Sequence, residues 1–223
     1  MLASSTVENY LKAIYAGVNG LRPGVRLLPM GHLATSLGVT PGTATTMVKT
    51  LAEAGLAEYE PYVGVALTPQ GERLAGLVVR RHRLVELFLV RVMGFGWDEV
   101  HEEAEHLEHV VSDRLIERMD TMLGHPEADP HGDPIPNADG AVTPQPYDTL
   151  LTCPLGQPVT VTRVLDQGRA FLQFVETNRL KPGTVIQVDG RDESADSVLV
   201  TGDGARLTIG ARAASKLQVR AAD

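Results

Sequence analysis

Between Gly124 and Tyr147 the chain carries six prolines, at 126, 130, 134, 136, 144 and 146, set among Gly, Asp and Asn. Proline fixes φ and has no amide proton, so neither a helix nor a central strand runs through this stretch. It divides the sequence into halves that fold by different rules. Before it, apolar residues recur at helical spacing. After it, Pro158–Leu165, Thr184–Val188 and Ser197–Thr201 alternate or are β-branched, each bounded by Gly, Asp or Pro, and Leu217–Val219 closes the set. About five short strands in roughly 70 residues read as a small barrel. There is no internal repeat and no low-complexity tract.

With 223 residues, 43% of them apolar, the chain has material for one large domain or two to three small ones and is neither disordered nor fibrous. No apolar run approaches the roughly 18–20 residues of a membrane span. Met1-Leu2-Ala3-Ser4 offers no basic segment ahead of an apolar one, and the single cysteine, Cys153, cannot form an intrachain disulfide. These features predict a soluble, cytoplasmic protein.

The net charge of −8 argues at first against nucleic acid, but it is unevenly spread. Residues 1–80 are net +1, 81–97 +2, 98–148 −12 and 149–223 +1. A concentrated acidic block of this kind either repels anions or binds cations.

Val7, Leu11, Ile14 and Tyr15 mark a first helix ending near Gly17. A short second helix covers about Met30–Ser36, Leu37-Gly38-Val39 is a tight turn, and Thr40-Pro41 caps a third helix that Gly55 stops. Leu56–Tyr62 and Val63–Thr68 then form a hairpin. This is the order of a winged helix-turn-helix, with Ala34, Gly38, Val39, Val48 and Leu51 where two crossed helices pack. The exposed face of the third helix makes Thr40, Pro41, Gly42, Thr43, Thr45, Thr46 and Lys49 the candidate DNA contacts. The plainer alternative is solvated surface, but threonine is a mediocre helix former and four of them there need a reason.

From Asp98 to Met122, Ala104, Leu107, Val111, Leu115, Met119 and Met122 recur three or four apart, predicting one long amphipathic helix. On it His101, Glu105, Glu108 and His109 fall within an arc of about 100° beside the apolar seam. Carboxylates so close repel unless a divalent cation binds between them. His82 and Glu86, four apart on the preceding, nearly all-apolar helix (about Pro69–Val92), supply a second such set. The alternative, an acidic face open to solvent, leaves the matched histidine spacing unexplained. An enzyme reading fails on the same residues: His101 and His106 are five apart rather than the four of a zincin, and no nucleophile elbow, phosphate loop or dinucleotide fingerprint is present.

The motifs Val7–Tyr15, Arg80–Glu86, Val100–Asp113 and Pro130-His-Gly-Asp-Pro-Ile-Pro136 together resemble the diphtheria-toxin-repressor (DtxR/MntR) family of metal-activated transcriptional repressors, over nearly the whole chain. The resemblance implies a mainly α fold with a small β domain. A winged helix-turn-helix DNA-binding domain would span residues 1–73 and a helical dimerisation and metal-binding domain 74–140. A linker and C-terminal SH3-like (FeoA-like) β-barrel would span 141–223. It further implies a primary metal site of Glu105, Glu108 and His109 with Asn9 from the first helix, and an ancillary site of His82, Glu86 and His101. The iron-responsive branch has Cys at the position of Glu105 and Met at that of Asn9. The harder Glu105 makes Mn(II) the expected ion and Fe(II) the second, with Zn(II), Co(II) or Cd(II) able to substitute in vitro. Asn9 stands where the manganese branch has Asp, and Lys12 where it has a further carboxylate, so a binuclear cluster is not expected. The family's SH3-like ligands align with Gly168 and Phe171, leaving Asp166 and Gln167 as nearby substitutes.

Implied partners are a palindromic double-stranded DNA operator and a second copy of the chain, with no membrane and no organic cofactor. Metal would fix the angle between domains and set two recognition helices about 34 Å apart. A metal-buffering or iron-transport accessory protein is the alternative from another class, since the SH3-like domain resembles a module of such systems; it has no use for the threonine-rich helix. A regulator of a small organic effector is the third, disfavoured by an aromatic content of 4%.

Overall fold

The computed structural model describes residues 4–22, 24–143 and 146–222. Met1–Ala3, read above as lacking the basic start of a leader, and Pro144 of the proline-rich stretch lie outside the described residues. The chain forms two compact units, one from residues 1–82, 107–112 and 135–143, the other from 83–106, 113–134 and 144–223.

The first unit contains α1 (Ser5–Asn19), α2 (Met30–Ser36), α3 (Pro41–Glu53), β1 (Ala57–Glu60), β2 (Gly64–Leu67) and the start of α4 (Pro69–Met93). Tyr10, Leu11 and Ile14 of α1 bury their stripe with Leu33 and Ala34 of α2, Ala44, Val48 and Leu51 of α3, and Val65 of β2. Local chemistry sets the boundaries. Gly38 takes φ +63° in the turn before α3. Thr40 accepts the Thr43 amide at 3.2 Å with Pro41 in the first turn, and Gly55 ends the helix at φ +72°. β1 and β2 pair antiparallel from Ala57↔Leu67 to Glu60↔Gly64. The expected helix, helix, turn, helix, hairpin order is present, with α1 running two residues beyond Gly17.

The second unit holds the rest of α4, most of α5 (Val100–Leu107), α6 (Asp113–Met122) and an antiparallel sheet. The sheet comprises β3 (Asp148–Thr149), β4 (Pro158–Val164), β5 (Val185–Asp192), β6 (Ser197–Gly202), β7 (Ala205–Gly210) and β8 (Leu217–Ala221), with α7 (Arg169–Thr177) and α8 (Ala211–Ala214) in its connections. The strand order is β3-β8-β4-β5-β6-β7. Alternate residues, among them Val159, Val161, Ile186, Val188, Val198, Val200, Leu217 and Val219, fill one core with Trp97 and Leu172.

Two expectations are corrected. The acidic segment is two helices rather than one, broken at 108–112. Arg81 Nη1 takes the Glu108 carbonyl at 3.2 Å, and the Glu108 side chain is drawn inside by Lys12 and His82. Asp113 then stands in the first turn of a new helix. Beyond the break the seam changes residues: Leu115 and Met122 are exposed, while Ile116 and Met119 are buried. The sheet also has two strands, β3 and β7, beyond those read from the pattern.

The loop after α6 is pinned to β4. His131 offers its carbonyl to the Val164 amide at 2.9 Å. Gly132, at φ +86°, leaves room for a Thr162 carbonyl that would lie 1.9 Å from an added Cβ. Gly132→Ala combines left-handed strain with a clash against backbone, so it is expected to cost about 2–4 kcal/mol, read as a lower urea midpoint; an unchanged midpoint would contradict this packing.

Candidate metal centres and nucleic-acid interface

In the first unit, Glu8 of α1 is 4% exposed, and its Oε2 accepts a 2.6 Å hydrogen bond from His109 Nδ1. With a carboxylate as acceptor the proton sits on Nδ1, which leaves the imidazole lone pair on Nε2. That Nε2 is buried without a hydrogen bond and lies 3.4 Å from Glu108 Oε1. Asn9 Oδ1 is a second buried atom without a donor. Glu108 is fully buried. It accepts hydrogen bonds from His82 Nδ1 at 2.5 Å and Lys12 Nζ at 2.7 Å. Burial pushes its carboxyl pKa up, but the hydrogen bond and charge of His82 and the Lys12 ammonium outweigh this, holding it below the ordinary value. Glu108 is thus held in the interior as a carboxylate beside the Lys12 ammonium and the His82 imidazole, the form a carboxylate needs to ligate a metal.

In the second unit, Glu86 of α4 is 1% exposed and uses its two oxygens differently. Oε1 accepts a 3.1 Å bond from His101 Nδ1, and Glu105, one turn further along α5, brings Oε1 to 3.6 Å from His101 Nε2. Oε2 lies 4.0 Å from His131 Nδ1, as does Asp129 Oδ1. Glu86, Asp129 and His131 are all buried, and one ligand atom from each lies within 4.8 Å of the others. His131 Nε2 is 2.7 Å from the Trp97 carbonyl, which can only accept, so the lone pair is on Nδ1. Asp129 Oδ1 also accepts the His131 and Asp133 amides at 2.8 and 2.9 Å, and Arg83 Nε lies 3.7 Å from its Oδ2; two carboxylates and an imidazole lone pair facing one another away from water still favour a cation among them. Asp129 shows that repulsion: burial, then the charges of Asp133 and Glu86, push its pKa well up despite Arg83 nearby.

Among the expected ligands, Glu108 and His109 stand in the first unit beside His82, Lys12 and Glu8, and Glu86, His101 and Glu105 stand together in the second. Asp166 accepts from the Gly168 amide at 2.9 Å and pairs with Lys216, and Gln167 donates to Asp133 at 2.5 Å. Sequence reasoning missed Glu8, Asp129 and His131 as site residues. The signal for the last two was present, a carboxylate and a histidine two apart in a glycine-proline turn within the acidic block.

On α3, Thr40, Pro41, Gly42, Thr43, Thr46 and Lys49 are exposed and Thr45 is half-buried. The Thr45 and Thr46 hydroxyls donate to the Pro41 and Gly42 carbonyls at 2.8 and 3.0 Å, and Thr40 caps the helix through Thr43. Fixing the hydroxyls to their own helix turns a low, methyl-bearing face outward, with the hydroxyl lone pairs still able to accept. No helix among the described residues is long and apolar enough to cross a membrane.

Three family models cover most of the chain: the iron dependent repressor N-terminal DNA binding domain over residues 1–65, the iron dependent repressor metal binding and dimerisation domain over 68–137, and the FeoA domain over 149–221. The iron-dependent repressor IdeR of Mycobacterium tuberculosis is 35% identical over 167 residues, 70% of this chain and 69% of that protein. The HTH-type transcriptional regulator MntR of Lysinibacillus sphaericus is 37% identical over 129 residues, 58% of this chain and 89% of that one. A solved manganese-dependent transcriptional repressor in complex with manganese superposes with a TM-score of 0.85 at 39% identity, covering 97% of this chain and 100% of the other. The chain belongs to the DtxR/MntR family of metal-dependent transcriptional repressors.

If Glu8 orients His109 for an ion, Glu8→Gln is expected to weaken Mn(II) binding at the first cluster about 10–100-fold with the fold intact, measured by isothermal titration calorimetry. Unchanged affinity would reduce the Glu8–His109 bond to packing.

Proposed function

We propose that this chain is a metal-activated repressor that responds to Mn(II) first and Fe(II) second and binds a palindromic double-stranded DNA operator as a homodimer. The observation that carries the reading is the first cluster: buried, unsatisfied donor atoms on His109 and Asn9 next to the anionic Glu108, partly on the helix that supports α3. Asn9, Glu108 and His109 would hold one ion, oriented by Glu8. The Lys12 ammonium already occupies one oxygen of Glu108, so this site takes a single ion. Glu86, Asp129 and His131 would hold another, with His101 and Glu105 beside it. A bound divalent ion supplies charge that offsets these carboxylates, and the nitrogen and oxygen donors suit Mn(II) and Fe(II).

The protein's residues then act as follows. Glu8 and Asn9 sit on the α1 turn next to Tyr10, Leu11 and Ile14, which pack against α2 and α3. Holding Glu8 and Asn9 in place holds the support on which α3 presents Thr40, Pro41, Gly42, Thr43, Thr45, Thr46 and Lys49 to phosphates and base edges. Neutralising part of the acidic 98–148 block also lessens its repulsion of phosphate. We assign the protein no catalytic role and no organic cofactor.

The direct test is selection of genomic fragments by purified protein with and without micromolar Mn(II), repeated with anaerobic Fe(II). Enrichment of a palindromic site only with metal is the expected result, and metal-independent or absent enrichment would overturn the reading. On the selected site, Glu108→Gln is expected to abolish metal-dependent binding while the dimer survives gel filtration. Thr46→Ala with Lys49→Ala should abolish DNA binding while leaving Mn(II) binding unchanged. DNA binding that survives the α3 double variant would remove α3 from the interface.

A further inference from the structure

The single tryptophan of the chain lies against His131 in three ways at once. Its main-chain carbonyl takes the His131 Nε2 proton at 2.7 Å. Its indole stacks on the imidazole, with centroids 5.5 Å apart and planes 25° from parallel. The indole is itself held from the far side: Nε1 donates to Glu176 Oε2 of α7 at 3.3 Å, Lys181 Nζ lies 4.8 Å above the ring, and Lys181 pairs with Glu176. Trp97 is 6% exposed and belongs to the apolar core formed with the barrel strands.

An imidazole in a buried loop can turn over about χ2, placing a ring carbon where each nitrogen stood, and can carry its proton on either nitrogen. Only one arrangement of the four leaves a lone pair facing Glu86 Oε2 and Asp129 Oδ1. The carbonyl of Trp97 selects the tautomer because a carbonyl can only accept. The indole face selects the ring orientation by closing the space through which the imidazole would turn. We propose that Trp97 is the positioning residue of the Glu86–Asp129–His131 metal site, fixing His131 so that Nδ1 faces the ion, and that it ties this site to α7 through Glu176 and Lys181. The proposal rests on the reading that these three residues take a metal. It adds that the hold on His131 comes from Trp97 and that the indole reports occupancy.

The test uses the full chain. Metal bound per chain is counted by equilibrium dialysis against Mn(II), and Trp97 fluorescence is followed during titration with Co(II), whose d–d absorption quenches a nearby indole. The wild type is expected to lose half or more of its fluorescence as Co(II) binds. His131→Ala is expected to hold one ion fewer and to lose that quenching. Trp97→Ala, which keeps the carbonyl and loses the ring face, is expected by dialysis to bind the same ion about 10–100-fold more weakly, and Trp97→Phe, which keeps an aromatic face, to recover to within about threefold of wild type. If Trp97→Ala does not fold, Trp97→Leu replaces it, filling the space without a ring face, with the same expected loss. An unchanged ion count in His131→Ala would overturn the metal reading and this inference with it. Loss of the ion in His131→Ala, with wild-type affinity in Trp97→Ala or Trp97→Leu, would overturn the positioning role of the Trp97 indole and leave the metal site standing. Absence of quenching while the His131-dependent ion binds would also overturn it.

Discussion

Glu108 has no exposed surface, and much of the chain around it is arranged to make a buried carboxylate tolerable. Moving an isolated carboxylate out of water costs several kcal/mol even after relaxation, and removing one partner from a buried pair costs about 3–5 kcal/mol. The chain meets that cost with His82 from α4, Lys12 from α1 and Arg81 on the main-chain carbonyl. To bring Glu108 to these partners the acidic helix has to break, and the break is what separates α5 from α6. A local electrostatic requirement thus decides a feature of the fold.

The same requirement connects the cluster to α3. Along α1, Glu8 and Lys12 reach the buried charges while Tyr10, Leu11 and Ile14 fill the core shared with α2 and α3. One helix therefore carries both the electrostatic and the apolar contacts, and a change at Glu8 or Asn9 acts on the packing of the helix-turn-helix. In the second unit the logic recurs with different residues. Glu86 bonds His101 with one oxygen and faces His131 with the other, and His131 is held by Trp97 from the core of the barrel.

Much of this was legible in the sequence, and the exceptions have physical causes. Caps and turns placed α1 to α4 and the hairpin because each boundary is set by a few local residues such as Thr40, Pro41 and Gly55. The break at 108–112 was not legible: Ala104, Leu107 and Val111 continue a helical stripe, and only the distant partners Lys12, His82 and Arg81 interrupt it. β7 was missed although its signal was present, a two-residue Asp203-Gly204 connection with both residues at positive φ, the signature of a tight hairpin. For the site, spacing singled out Glu86, His101, Glu105, Glu108 and His109 as candidate ligands. It could not say which would meet, because Glu8 joins His109 across 101 residues of sequence. Asp129 and His131 sit two apart in a glycine-proline turn, a pairing visible in the sequence, but a loop has no periodicity from which their partner Glu86 could be read.

If metal and operator act through one protein state, each must raise the affinity for the other by the same factor. The measurement that tests this most directly is Mn(II) affinity by calorimetry, with and without saturating operator duplex. A metal-coupled repressor gives tighter Mn(II) binding in the presence of DNA, by about 5–150-fold for the usual 1–3 kcal/mol of coupling, matched by an equal gain in DNA affinity with metal. Equal Mn(II) affinity with and without the duplex would contradict the coupling and leave the buried clusters as sites that bind metal without controlling DNA.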